Sequence, residues 1–303
     1  MRLLPTSVLG CSLKAMSENT DATMTWRRLW DETESVIGDR QHARWLCETA
    51  SSTDPDEFLA SLADTPTTRM VSHLDAMVAR YRTGEPLQYV LGSWSFRRLD
   101  LNVDTRVLIP RPETEIVAEV ALGLAVKIEG ERIVVDLGTG SGAIGLSCAD
   151  ELPLDGTTVW LTDASSDALD VARANLAGVG RAARNVRVAL GSWFDALPDD
   201  LEADVIVSNP PYVAVGSADL EANVGEWEPD GALFAGVDGL DDYRVIVPGA
   251  IEYLRPHGWL VLEIGYDQGP AVSALLEQQG YQQIEVCQDL AKLNRVVLAQ
   301  RPT

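Results

Sequence analysis

The residues of this chain best suited to chemistry stand together at Asn209-Pro210-Pro211-Tyr212. They directly follow Asp204-Val205-Ile206-Val207-Ser208, an apolar run that reads as a buried parallel strand. An Asn at the carboxyl end of such a strand sits where open α/β sheets place their ligands. The two prolines hold φ at about −65° and remove two N–H donors, so the stretch is stiff and its carbonyls are left to accept. A rigid side-chain amide, a free carbonyl and an aromatic ring together grip a planar group that carries an –NH2. The implied chemistry is at an amide or amino nitrogen.

A second constellation lies upstream. Val134-Val135-Asp136-Leu137-Gly138-Thr139-Gly140-Ser141-Gly142-Ala143 reads as strand, glycine turn, then helix. Glycines let the backbone approach a ligand closely, and the helix start presents unpaired N–H groups. Such a run alone serves a dinucleotide or a mere tight turn. Two features narrow it. The next strand ends in Asp163, 25 residues after Gly138, where an acidic side chain accepts ribose hydroxyls. The dinucleotide spacing Gly-x-Gly-x-x-Gly is absent, because Gly138, Gly140 and Gly142 are each two apart. Asp-Leu-Gly-x-Gly-x-Gly instead resembles the S-adenosylmethionine site of class I methyltransferases. Asp136 has two readings, facing the cofactor's amino group or supporting the turn. Trp193, after the third strand, either packs on the adenine or belongs to the core.

These groups require an α/β framework. Strands are expected at Ile133–Leu137, Thr158–Thr162, Val186–Leu190, Val205–Ser208, Trp259–Ile264, Ile284–Cys287 and Arg295–Ala299, with helices near 143–150, 166–177, 240–254 and 270–279. Such alternation gives a mostly parallel, doubly wound sheet. Arg111-Pro112-Glu113-Thr114-Glu115 begins a helix to about Gly123. Residues 85–109, where Phe96, Leu99, Leu101 and Val103 alternate imperfectly, read as a β-hairpin linker.

Residues 25–84 read as a small helical domain. Trp26, Leu29, Trp30 and Ile37 are helix-spaced, Asp54-Pro55-Asp56-Glu57 is a capped helix start, and Thr65-Pro66 opens a helix bearing Met70, His73, Leu74, Met77 and Tyr81. His73 reads as a core or boundary histidine. Residues 1–24 are expected to be a disordered leader, or to reflect a start codon placed early, with Met16 or Met24 as alternatives. Val8-Leu9-Gly10-Cys11 is a poor lipoprotein signal, since Pro5 breaks the apolar stretch and only Arg2 precedes it.

Composition sets the class. No apolar run approaches the roughly 20 residues that span a bilayer. Cys11, Cys47, Cys148 and Cys287 have neither disulfide nor metal spacing, which points to no metal and a cytoplasmic location. The net charge is −22, of which residues 106–303 carry −18. Between Val188 and Tyr243 there are 13 acidic residues and no Lys or Arg. This opposes stable nucleic-acid binding, which needs basic side chains along the phosphates. The acidity either steers a basic protein partner or is simply a solvated surface.

The chain resembles the HemK-type peptide chain release factor glutamine methyltransferases from about Trp26 to Arg301. The resemblance rests on Pro86-Leu87-Gln88-Tyr89-Val90-Leu91-Gly92, Leu108-Ile109-Pro110-Arg111-Pro112-Glu113-Thr114-Glu115, the Asp136–Gly142 run and Ser208-Asn209-Pro210-Pro211-Tyr212. Glu228-Pro229, Gly236-x-Asp238-Gly239-Leu240 and Leu262-Glu263-Ile264-Gly265 add to it. It departs in the leader and at Ala291–Arg295, where a looser glycine-containing turn is usual.

The resemblance implies a helical recognition domain followed by a seven-stranded, Rossmann-like methyltransferase domain over 110–303. It implies methyl transfer from S-adenosylmethionine to the side-chain nitrogen of Gln in the Gly-Gly-Gln loop of class 1 peptide chain release factors. Gly138, Thr139, Gly140, Ser141, Gly142, Asp163, Trp193 and Asn209 match cofactor-contacting positions. Asn209, Pro210, Pro211 and Tyr212 match the substrate-holding turn, with Asn209, Pro210 and Tyr212 as its catalytic members. Asn-Pro-Pro-Tyr also serves amino methyltransferases of DNA and RNA bases, and a cofactor-binding scaffold without catalysis is a further alternative.

Overall fold

The computed structural model describes residues 24–217 and 222–303. Apart from Met24, the expected leader lies outside the described residues. The chain divides after Thr83 into two compact units.

The first unit holds α1 (Trp26–Ile37), α2 (Arg40–Ser51), α3 (Pro55–Ala60) and α4 (Thr68–Tyr81). Each begins at an oxygen-bearing cap: Thr25, Asp39, Asp54 and Thr67 accept from backbone N–H groups of the first turn. The α4 cap is Thr67 rather than Thr65, because the Thr67 hydroxyl reaches the N–H of Met70. The core gathers Trp26, Trp30, Phe58, Leu46, Leu74 and Met77, with the Trp26 and Phe58 rings edge to face at 5.7 Å. His73 is exposed, not in the core. One residue step turns about 100° around a helix, so a buried Leu74 swings its neighbour outward.

The second unit opens with a short helix where the hairpin linker was expected. Pro86 precedes α5 (Leu87–Leu91), which Gly92 ends in the left-handed region at φ 79°. The hairpin itself is only β1 (Ser93–Phe96) and β2 (Leu99–Asn102), and its Phe96 and Leu101 lie in the main core. Then follow α6 (Thr114–Ala125), β3 (Arg132–Leu137), α7 (Ala143–Glu151), β4 (Thr157–Asp163), α8 (Ser166–Gly178), β5 (Val186–Leu190), β6 (Ala203–Ser208) and α9 (Ala222–Trp227). The unit closes with α10 (Asp241–Tyr253), β7 (Leu254–Glu263), α11 (Gly269–Gln278), β8 (Gln282–Gln288) and β9 (Asn294–Gln300).

Among the described residues the large sheet has seven strands in the order β5-β4-β3-β6-β7-β9-β8. Pairing is parallel from β5 to β7, and β9 runs antiparallel to both its neighbours. Both faces are covered. Val134, Val205 and Val207 join one apolar cluster, while Val135, Leu137 and Ile206 join the other, as the two-residue period of a strand requires. Each such side chain, fully buried, contributes about 1.5–3 kcal/mol. The chain passes outward from β3 to β5 and returns at β6, so the topological switch lies between β3 and β6. There Leu137 pairs with Ser208, whose Oγ donates to the Leu137 carbonyl at 2.7 Å. Gly138 and Asn209, the next residue on each strand, therefore emerge side by side at the carboxyl edge. Among the described residues no helix is long and apolar enough to cross a membrane.

Candidate active site

The glycine turn is held from below. Gly138, Gly140 and Gly142 have φ of 69°, 56° and 89°, a region that L side chains rarely enter. The Asp163 carboxylate accepts from Gly140 N and Ser165 N, each at 2.9 Å, so the end of β4 is tied to the turn. Asp136 serves the turn too: its Oδ2 accepts from Thr139 Oγ1 at 2.6 Å and Gly145 N at 2.9 Å. Burial pushes its carboxyl up to about 6, against these two hydrogen bonds. Its Oδ1 is buried without a partner, while the residue lines the cavity described next. Of the two readings of Asp136, the geometry supplies support for the turn and leaves one oxygen for a ligand N–H.

A cavity of about 640 Å³ opens over the carboxyl ends of β3, β4 and β6. Gly138, Thr139, Gly140, Ser141, Asp163, Trp193, Asn209 and Pro211 line it. Gly142 does not; it begins α7, where a Cβ would meet Leu146. Trp193 packs, partly buried, on the apolar cluster and lines the cavity, its ring 3.4 Å from the place of a Gly138 Cβ. A second cavity, about 430 Å³, is lined by Arg111, Glu113, Tyr212, Tyr266, Gln268 and Arg295 among others. Leu108, Asn209 and Ala232 line both. Pro210 lines neither and acts as the stiff link between Asn209 and the wall at Pro211.

Asn209 is thus the polar side chain common to both cavities. Its Nδ2 donates to Thr114 Oγ1 at 3.3 Å, which leaves Oδ1 as the available acceptor. Thr114 is also hydrogen-bonded to Glu263, and Tyr212 Oη donates to Glu263 Oε1 at 3.4 Å. Glu263 is fully buried, and burial pushes its carboxyl up to about 7. Burial also raises the Tyr212 phenol well above its usual range, so that ring stays neutral.

The turn is braced from behind by Gln268. Its Nε2 donates to the carbonyls of Tyr212 at 3.0 Å and Gly239 at 3.1 Å, and its Oε1 accepts from Gly265 N at 2.9 Å. Buried Glu228 braces the opposite wall, accepting from Ile109 N at 3.1 Å and Arg111 Nη2 at 2.5 Å. Replacing Glu228 with Ala strands that buried N–H, and is expected to cost about 2–3 kcal/mol in a urea unfolding titration. An unchanged midpoint would show the brace to be dispensable.

Thr114, Glu263 and Gln268 were not singled out by sequence reasoning as site residues. Glu263 carried a signal all the same: a carboxylate closing the apolar run Trp259-Leu260-Val261-Leu262 is costly unless it is used.

A glycine turn beside a strand-end Asn-Pro-Pro-Tyr, on a seven-stranded sheet with one antiparallel strand next to its edge, defines a class I methyltransferase. The fold agrees with a methyltransferase from Pyrococcus furiosus, at a TM-score of 0.51 and 17% identity, covering 74% of this chain and 98% of that one. Residues 120–225 match the methyltransferase small domain and residues 33–92 the PrmC N-terminal domain. The release factor glutamine methyltransferase of Vibrio cholerae is 42% identical over 249 residues, 82% of each chain. That of Geobacter sulfurreducens is 37% identical over 277 residues, 90% of this chain and 94% of the relative. The chain belongs to the release factor glutamine methyltransferase family.

Proposed function

We propose that the protein transfers a methyl group from S-adenosylmethionine to the side-chain amide nitrogen of the Gln in the Gly-Gly-Gln loop of class 1 release factors, in the cytoplasm. The observation that carries this reading is Asn209, shared by two cavities and oriented by Thr114 so that its Oδ1 is free to accept. The first cavity fits the cofactor: a backbone cradle at Gly138, Thr139, Gly140 and Ser141, a carboxylate at Asp163, an aromatic wall at Trp193, and a buried acceptor at Asp136 Oδ1. When bound there, S-adenosylmethionine supplies an electrophilic methyl on a sulfonium, already an excellent leaving group.

The difficulty lies with the acceptor. An amide nitrogen is a poor nucleophile because its lone pair is delocalised into the carbonyl. Asn209 Oδ1 and the Pro210 carbonyl accept the two N–H bonds of the glutamine amide, which aims the nitrogen and favours its pyramidalisation. Tyr212 packs on the flat amide and, with Pro211, excludes water. Positioning and electrostatics then supply most of the rate. The product sheds its extra proton readily, so no strong general base is needed. The helical unit from Trp26 to Tyr81 is assigned to recognising the factor, and the acidic 188–243 stretch favours a protein over a polyanion.

The test offers labelled S-adenosylmethionine with an intact class 1 release factor, its isolated Gly-Gly-Gln peptide, or duplex DNA, and locates the methyl by mass spectrometry. Label is expected on the Gln of the intact factor. Label on DNA alone, or on nothing, overturns the proposal.

A further inference from the structure

We infer that Glu263 is a positioning residue: buried beneath Asn209, it sets the direction of the hydrogen bonds that leave the Asn209 amide oxygen facing the methyl acceptor. This deepens the function proposed above and rests on it. The relay runs from Asn209 Nδ2 to Thr114 Oγ1, from Thr114 to the Glu263 carboxylate, and back from Tyr212 Oη to the same carboxylate. An ionised carboxylate only accepts. Thr114 has one hydroxyl hydrogen, and giving it to Glu263 leaves its oxygen only lone pairs. Asn209 must then present its NH2 to Thr114, which leaves Oδ1 for substrate. A protonated Glu263 has an O–H of its own, and by donating it to Thr114 Oγ1 it releases the Thr114 hydrogen. Thr114 is then free to donate to Asn209 Oδ1, turning the amide by half a rotation and presenting a donor where the acceptor's N–H needs an oxygen.

The carboxylate is placed for this role rather than for stability. It ends β7, is completely buried, and keeps one oxygen, Oε2, without a partner. Such a group is costly in a core unless it acts. The groups facing it are Thr114 at the start of α6, Glu113 just before it, Tyr212 from the turn and Arg295 from β9. From α10, Tyr243 Oη donates to the Glu263 backbone carbonyl at 2.8 Å. Burial and Glu113 favour the neutral form, while Arg295, Thr114 and Tyr212 favour the charged one. Arg295 is itself shared with Asp289, at 3.5 Å. Protonation is thereby poised near neutrality, the carboxyl standing at about 7.

The experiment measures methyl transfer to an intact class 1 release factor across neutral pH, together with the side-chain 15N resonances of Asn209 in selectively labelled protein. Wild type is expected to lose kcat as pH falls below about 7, with the Asn209 signals titrating in step. Glu263→Gln is expected to lower kcat by about 10- to 100-fold, leave KM for S-adenosylmethionine unchanged, and abolish both titrations. Thr114→Ser should preserve the wild-type profile, and Thr114→Val should reproduce the Glu263→Gln profile. This pair decides the matter even if the Glu263 variant folds poorly. A Glu263→Gln enzyme with wild-type kcat and acid limb, or Thr114→Val with wild-type kcat, overturns the inference. A wild type that methylates no factor overturns the proposed function instead, and Asn209 signals that fail to titrate overturn the relay independently of activity.

Discussion

Asn209→Ala is expected to lower turnover by about 10²- to 10³-fold while leaving S-adenosylmethionine binding largely intact. The magnitude is that of removing one preorganised polar group from a reacting centre. Alanine keeps the prolines and the backbone course of the turn, so the loss falls on the acceptor of the glutamine N–H. It also leaves the Thr114 hydroxyl without its Nδ2 donor, yet touches none of the glycine-turn bonds of Asp136 and Asp163. Steady-state kcat with the intact factor, beside calorimetric titration of the cofactor, separates the two effects. Near-normal kcat would remove Asn209 from the reaction. Cofactor affinity lost along with kcat would move its role to the first cavity.

The second large effect is expected at Gly239, far from the reacting atoms in sequence. Its φ is 73°, and an added Cβ would lie 2.4 Å from the Tyr212 carbonyl oxygen and 2.8 Å from Gln268 Nε2. Neither is the loose end of a surface side chain: one is backbone, and the other is the brace of the turn. Gly239→Ala must therefore push Tyr212 or break its bond to Gln268. The expected cost is about 1–3 kcal/mol in stability. A shift of about 1 Å in the substrate-holding turn costs on the order of 10²-fold in rate. Urea unfolding and kcat measured on the same preparation test this, with Gly216→Ala as comparison, since Gly216 shares the positive φ but among the described residues nothing lies within 4 Å of an added Cβ. Equal effects at both glycines would mean that backbone strain alone, not the contact with Tyr212, governs the loss.

Much of the sheet was legible because period-two burial on both faces leaves an unmistakable apolar run, as at Val205–Val207 and Val134–Val135. The strand at Trp259 begins earlier than expected, at Leu254, because Arg255, Pro256, His257 and Gly258 interrupt the apolar pattern that the eye follows. α2 is hard to read because polar residues fill most of it outside Ala43, Trp45, Leu46, Cys47 and Ala50, and α5 is only five residues long. α6 starts at Thr114, after the Arg-Pro-Glu segment rather than within it, and runs through Gly123 to Ala125. Within the site, the cavity-lining glycines, Asp163 and Asn209 are strand-end residues whose position follows from their own strand. Thr114, Glu263 and Gln268 are different. Each matters through a partner 51 to 95 residues away, the separations of the Tyr212–Glu263 and Asn209–Thr114 bonds. Only the pairing of β6 with β7, and the packing of α6 against them, brings such partners together.

The Leu137–Ser208 rung has a consequence for how this scaffold can be altered. Neighbouring strands stand about 4.8 Å apart whatever their side chains. The mouths of the two cavities are thus gauged by backbone hydrogen bonding, before any loop residue is chosen. Donor half and acceptor half behave as interchangeable fittings on a common gauge: the segment after Asn209 could be swapped for one that grips another amine, and the methyl would still arrive within reach.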